Sequence, residues 1–173
     1  MSRRTTWIAG AIAVLLSAGL FGGATGHPVR PAAVASGETP QRLRSEVLTV
    51  HTRHGAAKFM VMIADNDHTR EIGLMFRKSM RPEEGMIFDF HDAQDVSFWM
   101  RNTILPLDII FISASGQILN IAANAKPFDE TPLPSEGPVR AVLEINAGLA
   151  AKLDIRPGDQ ISDKSVYPAS RHR

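Results

Sequence analysis

The polar residues that could do chemistry stand in the middle of the chain, inside segments that are otherwise apolar. The stretch SFWMRNT (97–103) carries three of them, and the apolar run LDIIFI (107–112) has a carboxylate near its start. A charged group in an apolar run must find a partner or stay in contact with water. The six candidate site residues are Arg77, Trp99, Arg101, Asn102, Asp108 and Glu144.

Two of these residues are carboxylates, and they suggest two different roles. Asp108 and Glu144 on neighbouring strands could have separated pKa values and act as the general acid and base of a hydrolase. Alternatively, they form structural ion pairs with Arg77 and Arg101, because such networks also perturb pKa values. We favour the ion pairs, and we therefore predict no catalytic residue.

Trp99 could serve as a stacking platform for a sugar ring or another flat ligand, or it could be a core residue whose indole N–H is satisfied internally. Ligand sites combine an apolar wall with a few polar groups. We therefore favour a non-catalytic site for a small polar ligand or a cell-envelope component. A third hypothesis is a structural or partner-interaction module, in which the polar cluster only stabilises the fold and the loop at 124–138 contacts a partner.

Several kinds of site are absent from the sequence. The chain contains no Cys, which excludes a thiol nucleophile and a disulfide framework. It has neither a glycine-rich phosphate loop in a strand–helix context nor a histidine pattern typical of zinc sites. The sequence thus predicts no metal and no cofactor.

The charge balance argues against a nucleic-acid partner. Three of the 19 basic residues and none of the 18 acidic ones precede Ser36, which leaves 16 basic against 18 acidic residues in the rest of the chain. A protein that binds nucleic acid usually carries a basic stripe instead.

The N-terminal segment is typical of a secretory signal peptide. Arg3 and Arg4 precede an apolar stretch of about fifteen residues, and small residues near 26 and near 35 offer two cleavage sites. We expect a signal peptide and the start of a linker within 1–35, with the linker continuing over 36–44. The protein is then periplasmic or secreted; the alternative is an uncleaved anchor, the one case in which we expect a membrane contact.

The elements that must position the candidate residues are short strands separated by turns. Runs of β-branched residues flank turn signals at 52–55 and 113–116, which predicts two hairpins, and a last strand is predicted near 160–162. We also predict an alternating strand over 97–103, an acidic loop at 91–95, and short helices at 67–75 and 147–153, the second capped by Asn146. The sequence thus indicates one mainly β domain over 45–163, a compact β-sandwich, jelly roll or partly open barrel with two short helices, followed by a tail at 164–173.

Six motifs in register resemble the domain of unknown function 192 family. They are GLMFR (73–77), GMIF (85–88), SFWMRNT (97–103), PLDIIFI (106–112), VLEINAG (142–148) and PGD (157–159). The resemblance covers roughly 47–161, and Arg101 stands where a lysine is frequent in the family, which keeps the charge. It implies a compact β-sandwich similar to a jelly roll, and it implies no activity.

Overall fold

The protein is mainly β, as the sequence predicts. The structure is a computed structural model that describes residues 6–7 and 39–168. In chain order the elements are β1 (Thr6–Trp7), β2 (Ser45–Thr52), β3 (Gly55–Ala64), α1 (Asp67–Ile72), β4 (Glu84–Gln94), β5 (Val96–Phe98), β6 (Leu107–Ile112), β7 (Ile118–Ala125), β8 (Leu133–Pro134), β9 (Val139–Asn146), α2 (Leu149–Lys152) and β10 (Gln160–Ser162). Apart from residues 6–7, the predicted signal peptide lies outside the described residues.

A seven-stranded sheet forms most of the domain, with the order β10-β2-β3-β4-β9-β6-β7. Its pairs are antiparallel except β3 and β4, which are parallel and are connected through α1. The hairpins predicted at 52–55 and 113–116 are both confirmed, as β2–β3 and β6–β7. A small sheet of β1, β5 and β8 accompanies the large one.

Both faces of the large sheet are buried in its centre. Ile110 pairs with Leu143 and packs in one hydrophobic cluster, while the next pair, Phe111 and Val142, packs in the other. Successive side chains of a strand point to opposite faces, so a strand covered on both sides needs apolar residues at every position. This accounts for the run of four apolar residues at 109–112 in β6.

The strand β5 covers the second face through one aromatic residue. The ring of Phe98 makes edge-to-face contacts with Phe88 at 5.1 Å, with Phe90 at 6.5 Å and with Phe111 at 6.1 Å between ring centroids. Aromatic pairs in this arrangement stabilise a core beyond the burial of their area. Phe98 thus fixes the position of the chain that leads into the candidate residues.

Three predicted element boundaries were wrong. The alternating strand expected over 97–103 ends at Phe98, because the Met100 N–H donates to the Asp129 oxygen at 2.7 Å and the chain then turns at Asn102, whose φ is +52°. The helix expected over 67–75 ends at Ile72, since Gly73 has a φ of +50°. The acidic loop expected at 91–95 belongs mostly to β4, whose pairing with β9 shifts register between Asp89 and Gln94.

The C-terminal part of the fold extends further than the boundary we placed at 163. Val166 and Tyr167 are buried, and the Tyr167 hydroxyl donates to the carbonyl oxygen of Ser113 at 2.8 Å. Val166 and Tyr167 therefore contribute to the core, beyond the predicted end of the domain. Among the described residues, no helix has the length and apolar character needed to cross a lipid bilayer.

Candidate functional site

Asp108 is a structural residue. Its carboxylate is buried and accepts hydrogen bonds from the backbone N–H of Asn124 at 2.9 Å and of Ala150 at 2.9 Å. Gly148 stands at the N-cap position of α2 and cannot cap it with a side chain, so Asp108 satisfies the first turn from a distant strand. The predicted cap by Asn146 was wrong, because its amide donates instead to the carbonyl oxygen of Met80 at 3.0 Å.

The two candidate carboxylates do not form a pair. Asp108 lies opposite Ile145 in the register of β6 and β9, whereas Glu144 lies opposite Ile109. Residues directly opposite each other share a face, so Asp108 and Glu144 project from opposite faces of the sheet. The carboxylate pair required for the hydrolase hypothesis is therefore not formed.

The expected ion pairs with these carboxylates were also wrong. Arg77 lies nearest to Glu84, with 3.9 Å between Nη1 and Oε2, and Arg101 Nε lies 3.3 Å from Glu130 Oε1. Both carboxylate partners lie outside the apolar runs, on β4 and on the loop that follows β7.

Glu144 is buried on the second face of the sheet, between Met86 and Ile109 on the adjacent strands. Its residue is 5% exposed, and its carboxyl group makes no hydrogen bond to any residue within the described ranges. Burial in apolar surroundings disfavours the charged form and raises the pKa of Glu144 to about 8. The group is therefore mostly protonated at neutral pH.

Glu144 and Trp99 meet at a small cavity, which we call the inner pocket. Its polar lining residues are Arg70, Glu71, Trp99, Thr103 and Glu144, and its apolar walls include the segment 73–75 and two phenylalanines. The cavity volume is about 10 Å³. A cavity of roughly 10–15 Å³ holds about one water molecule, so the inner pocket in this state is too small for a sugar ring.

The inner pocket contains polar groups without partners. The indole Nε1 of Trp99 and the Nε of Arg70 are buried and have no hydrogen-bond partner among the residues that the structure describes. The Arg101 guanidinium lies over the Trp99 ring, 5.5 Å from its centroid, so one face of the proposed stacking platform is covered. Asn102 lies beside the pocket and accepts a hydrogen bond from the Phe76 N–H at 3.0 Å through its backbone oxygen.

Arg77 lies at a larger and more open cavity, which we call the outer pocket. Its volume is about 320 Å³, and it is lined by Arg42, Leu43, Ser45, Met60, Met62, Arg77, Glu84 and Gly85. The Arg77 side chain is only 21% exposed. Its Nη2 lies 3.1 Å from the Met62 sulfur, a weak acceptor, so the residues that the structure describes satisfy the guanidinium poorly.

Glu84 of the outer pocket is already engaged by Arg81. Its carboxylate accepts from the Arg81 backbone N–H at 3.0 Å and from Arg81 Nε at 2.9 Å. The backbone hydrogen bond is the main reason that the pKa of Glu84 lies below its usual value. Glu84 is thus ionised, and Arg81, at 2.9 Å, is a closer cationic partner than Arg77, at 3.9 Å.

Sequence reasoning missed Arg42, Ser45 and Glu84. Arg42 and Ser45 stand at the boundary between the predicted linker and the domain, and Glu84 follows a proline-containing turn. The cluster of basic residues at 42–44 was the available signal. No group of three or more metal-ligating side chains occurs within residues 6–7 and 39–168.

A family model matches more than half of this chain. The family model DUF192, described as uncharacterized ACR, matches residues 49–162. The chain belongs to the DUF192 family. The resemblance inferred from the six sequence motifs is thereby confirmed, and both pockets of this DUF192 protein lie mainly within the matched region.

Two solved structures are similar to this DUF192 protein. A protein of unknown function from Novosphingobium aromaticivorans DSM 12444 is 46% identical, with a TM-score of 0.69; the match covers 82% of this chain and all of the other. A protein from Sinorhizobium meliloti 1021, described as a candidate transcription regulator, is 39% identical with a TM-score of 0.69, over 72% of this chain and 97% of the other. No curated protein matches the chain.

Proposed function

We propose that this DUF192 protein is an exported, non-catalytic binding protein whose small polar ligand occupies the outer pocket. The observation that carries this proposal is the half-buried guanidinium of Arg77. It offers five N–H donors, and among the described residues it contacts a thioether sulfur at 3.1 Å and a carboxylate oxygen at 3.9 Å. A ligand with acceptor oxygens satisfies the remaining donors.

The shape of the outer pocket supports this proposal. Its volume of about 320 Å³ is close to the lower bound of roughly 300 Å³ that is typical of small-molecule sites. Leu43, Met60 and Met62 supply an apolar wall, and Ser45 adds a hydroxyl group. Such a combination orients a ligand through few polar contacts and gains affinity from its apolar part.

A partner-interaction role is the second candidate. Phe128, in the loop predicted at 124–138, is 61% exposed and has a φ of +61°, which is unusual for a bulky residue. Its N–H donates to the Thr103 oxygen at 3.3 Å, next to Ile104, which is also exposed. If Phe128→Ser shifts the full chain to a smaller species in sedimentation experiments, this second role gains support.

The source of the ligand follows from the expected location. A signal peptide places the protein in the periplasm or outside the cell, so a cell-envelope component is one source of ligand. The relative from Sinorhizobium meliloti is described as a candidate transcription regulator. We do not extend that role to this chain, because residues 36–173 contain more acidic than basic residues.

The test is a thermal shift measurement on the full chain with a panel of sugars, peptidoglycan fragments, organic acids and phosphate. A ligand that binds the folded state raises the melting temperature, and the rise grows with the logarithm of its concentration above Kd. We expect at least one compound to do so and Arg77→Gln to abolish the shift. Arg44→Gln is the matched control, because Arg44 pairs with Asp65 at 3.4 Å and does not line the outer pocket. A panel that moves no melting curve, or a shift retained in Arg77→Gln, would contradict the proposal.

A further inference from the structure

We infer that the ligand of the outer pocket is an oxyanion, a carboxylate or phosphate group carried on an apolar body, and that Arg42 and Arg77 hold this group. The inference rests on the proposed function and deepens it by naming the class of ligand. Three features of the pocket support it: the charge balance, the placement of the two arginines and the apolar wall.

The outer pocket carries more positive than negative charge. Arg42 and Arg77 face one carboxylate, Glu84, which accepts two short hydrogen bonds from Arg81 at 3.0 and 2.9 Å. Arg81 does not line the pocket. The negative charge of Glu84 is thus largely compensated from outside, and the two lining guanidinium groups keep their attraction for an anion.

Arg42 has no hydrogen bond or ion pair with any other residue in the described part of the chain. The chain around it is nevertheless held in place. The side-chain amide of the preceding Gln41 donates to the carbonyl oxygens of Thr69 at 2.8 Å and Gly73 at 2.9 Å. After it, the Arg44 oxygen accepts from the Ile63 N–H at 3.1 Å. The segment that carries Arg42 is therefore fixed before binding, which reduces the entropy lost when a ligand is held.

Arg77 lines the same pocket from a different part of the chain, the segment between α1 and β4. Planar guanidinium groups bind carboxylate and phosphate oxygens with paired hydrogen bonds, which a neutral hydroxyl cannot reproduce. The Ser45 hydroxyl makes no hydrogen bond with the described residues and adds a third donor. These donors suit an acceptor-rich group better than a ligand with N–H or O–H groups of its own.

The apolar wall indicates that the ligand is larger than a bare anion. Met60 is 44% exposed and lines the pocket together with Met62 and Leu43. Flexible methionine side chains adapt to apolar groups of varied shape. An alkyl or other apolar part of the ligand would cover this wall while its anionic group contacts the arginines.

Calorimetric titration of the full chain with hexanoate, hexanamide and inorganic phosphate tests the class of ligand. Hexanoate and hexanamide share their apolar chain and differ in charge. We expect hexanoate to bind at least about tenfold more tightly than hexanamide, because hydrogen bonds to charged groups are the stronger ones. Competition by phosphate would identify phosphate groups as ligands, and its absence would restrict the class to carboxylates.

Variants separate this inference from the proposed function. Arg42→Gln and Arg77→Gln should each weaken hexanoate binding by about tenfold or more, Arg77→Lys should lose less, and Arg44→Gln should leave it unchanged. Circular dichroism establishes that each variant is folded. Equal binding of hexanoate and hexanamide, or binding of neutral saccharides alone, would contradict the inference that the ligand is an oxyanion. The proposed binding function would remain. If neither these compounds nor the wider panel bind, both proposals fail.

Discussion

Asp108 and Glu144 lie on the neighbouring strands β6 and β9, yet their side chains occupy opposite faces of the sheet. Asp108 accepts two backbone hydrogen bonds at 2.9 Å and connects β6 to β7 and α2. Glu144 accepts none from the described residues and lines the inner pocket. An acidic residue thus stabilises the fold at position 108. At position 144 it has no such contacts with the described residues, and burial favours its protonated form.

The role of Asp108 predicts a stability loss when its charge is removed. In Asp108→Asn, one of the two backbone N–H groups faces an amide NH₂ instead of an oxygen. Hydrogen bonds to charged groups contribute about 1.5–3 kcal/mol each, so we expect a loss of that order in the free energy of unfolding. Urea denaturation measures it, with the exposed Asp92→Asn as control. A loss of less than about 0.5 kcal/mol would show that these contacts do not stabilise the domain.

The buried Glu144 predicts a pH dependence of stability. Its pKa is about 8 in the folded protein and about 4.5 when exposed, so the folded state retains a proton that the unfolded state releases between these values. The free energy of unfolding should therefore fall with rising pH across this window, by at most about 1.4 kcal/mol per unit, and level off above pH 8. The inner pocket has two other charged residues, Arg70 and Glu71. Both are present in the wild type and in the Glu144→Gln variant that is compared with it.

Glu144→Gln isolates this contribution. The difference in stability between wild type and variant, measured by urea denaturation at several pH values, should change between pH 4.5 and 8 in favour of the variant. A difference that stays constant with pH would mean that Glu144 is not protonated in the folded protein.

Trp99 should report the ionisation of Glu144, because both residues line the inner pocket. The chain has two tryptophans, so Trp7→Phe leaves Trp99 as the single tryptophan, whose emission can be excited selectively. We expect its emission to change with a midpoint near pH 8 and to become independent of pH when Glu144→Gln is added. Retention of the transition in the double variant would assign it to another group.

The burial of Val166 and Tyr167 predicts that the domain does not end at Asp163. Burying a large apolar side chain contributes about 1.5–3 kcal/mol, and Tyr167 adds a hydrogen bond of 2.8 Å to Ser113. A chain that ends at 163 should therefore be destabilised by several kcal/mol relative to one that ends at 168. Equal melting temperatures of the two chains would contradict the structure in this region.

Local sequence patterns were sufficient to predict the elements that are determined mainly by neighbouring residues in the sequence. The hairpins follow from turn residues between β-branched runs, and β6 follows from an apolar run of the length of a buried strand. The strand predicted over 97–103 failed because its alternation is interrupted by long-range contacts. The Met100 N–H, for example, donates to the Asp129 oxygen at 2.7 Å rather than to a neighbouring strand.

The sequence indicated only part of the candidate site: Arg77 lines the outer pocket, whereas Arg42, Ser45 and Glu84 were not among the candidate residues. Trp99 and Glu144 do share a pocket, with Arg101 and Asn102 beside it, whereas Asp108 faces the other side. Which face a strand residue occupies depends on strand register, and a shift of one position reverses it. Arg42 escaped notice because nothing in a short basic segment indicates which cavity it will line.

The most direct test of ligand binding in the outer pocket is an NMR titration observed through the methyl groups of ¹³C-labelled methionines. Met60 and Met62 line the outer pocket, while Met100 is buried away from it. The titrant is the compound from the panel that raises the melting temperature most. We predict saturable shifts of the Met60 and Met62 signals and no shift of the Met100 signal. In Arg77→Gln, the Met60 and Met62 signals should no longer respond. Unchanged Met60 and Met62 signals at saturation would contradict the assignment of the ligand to the outer pocket.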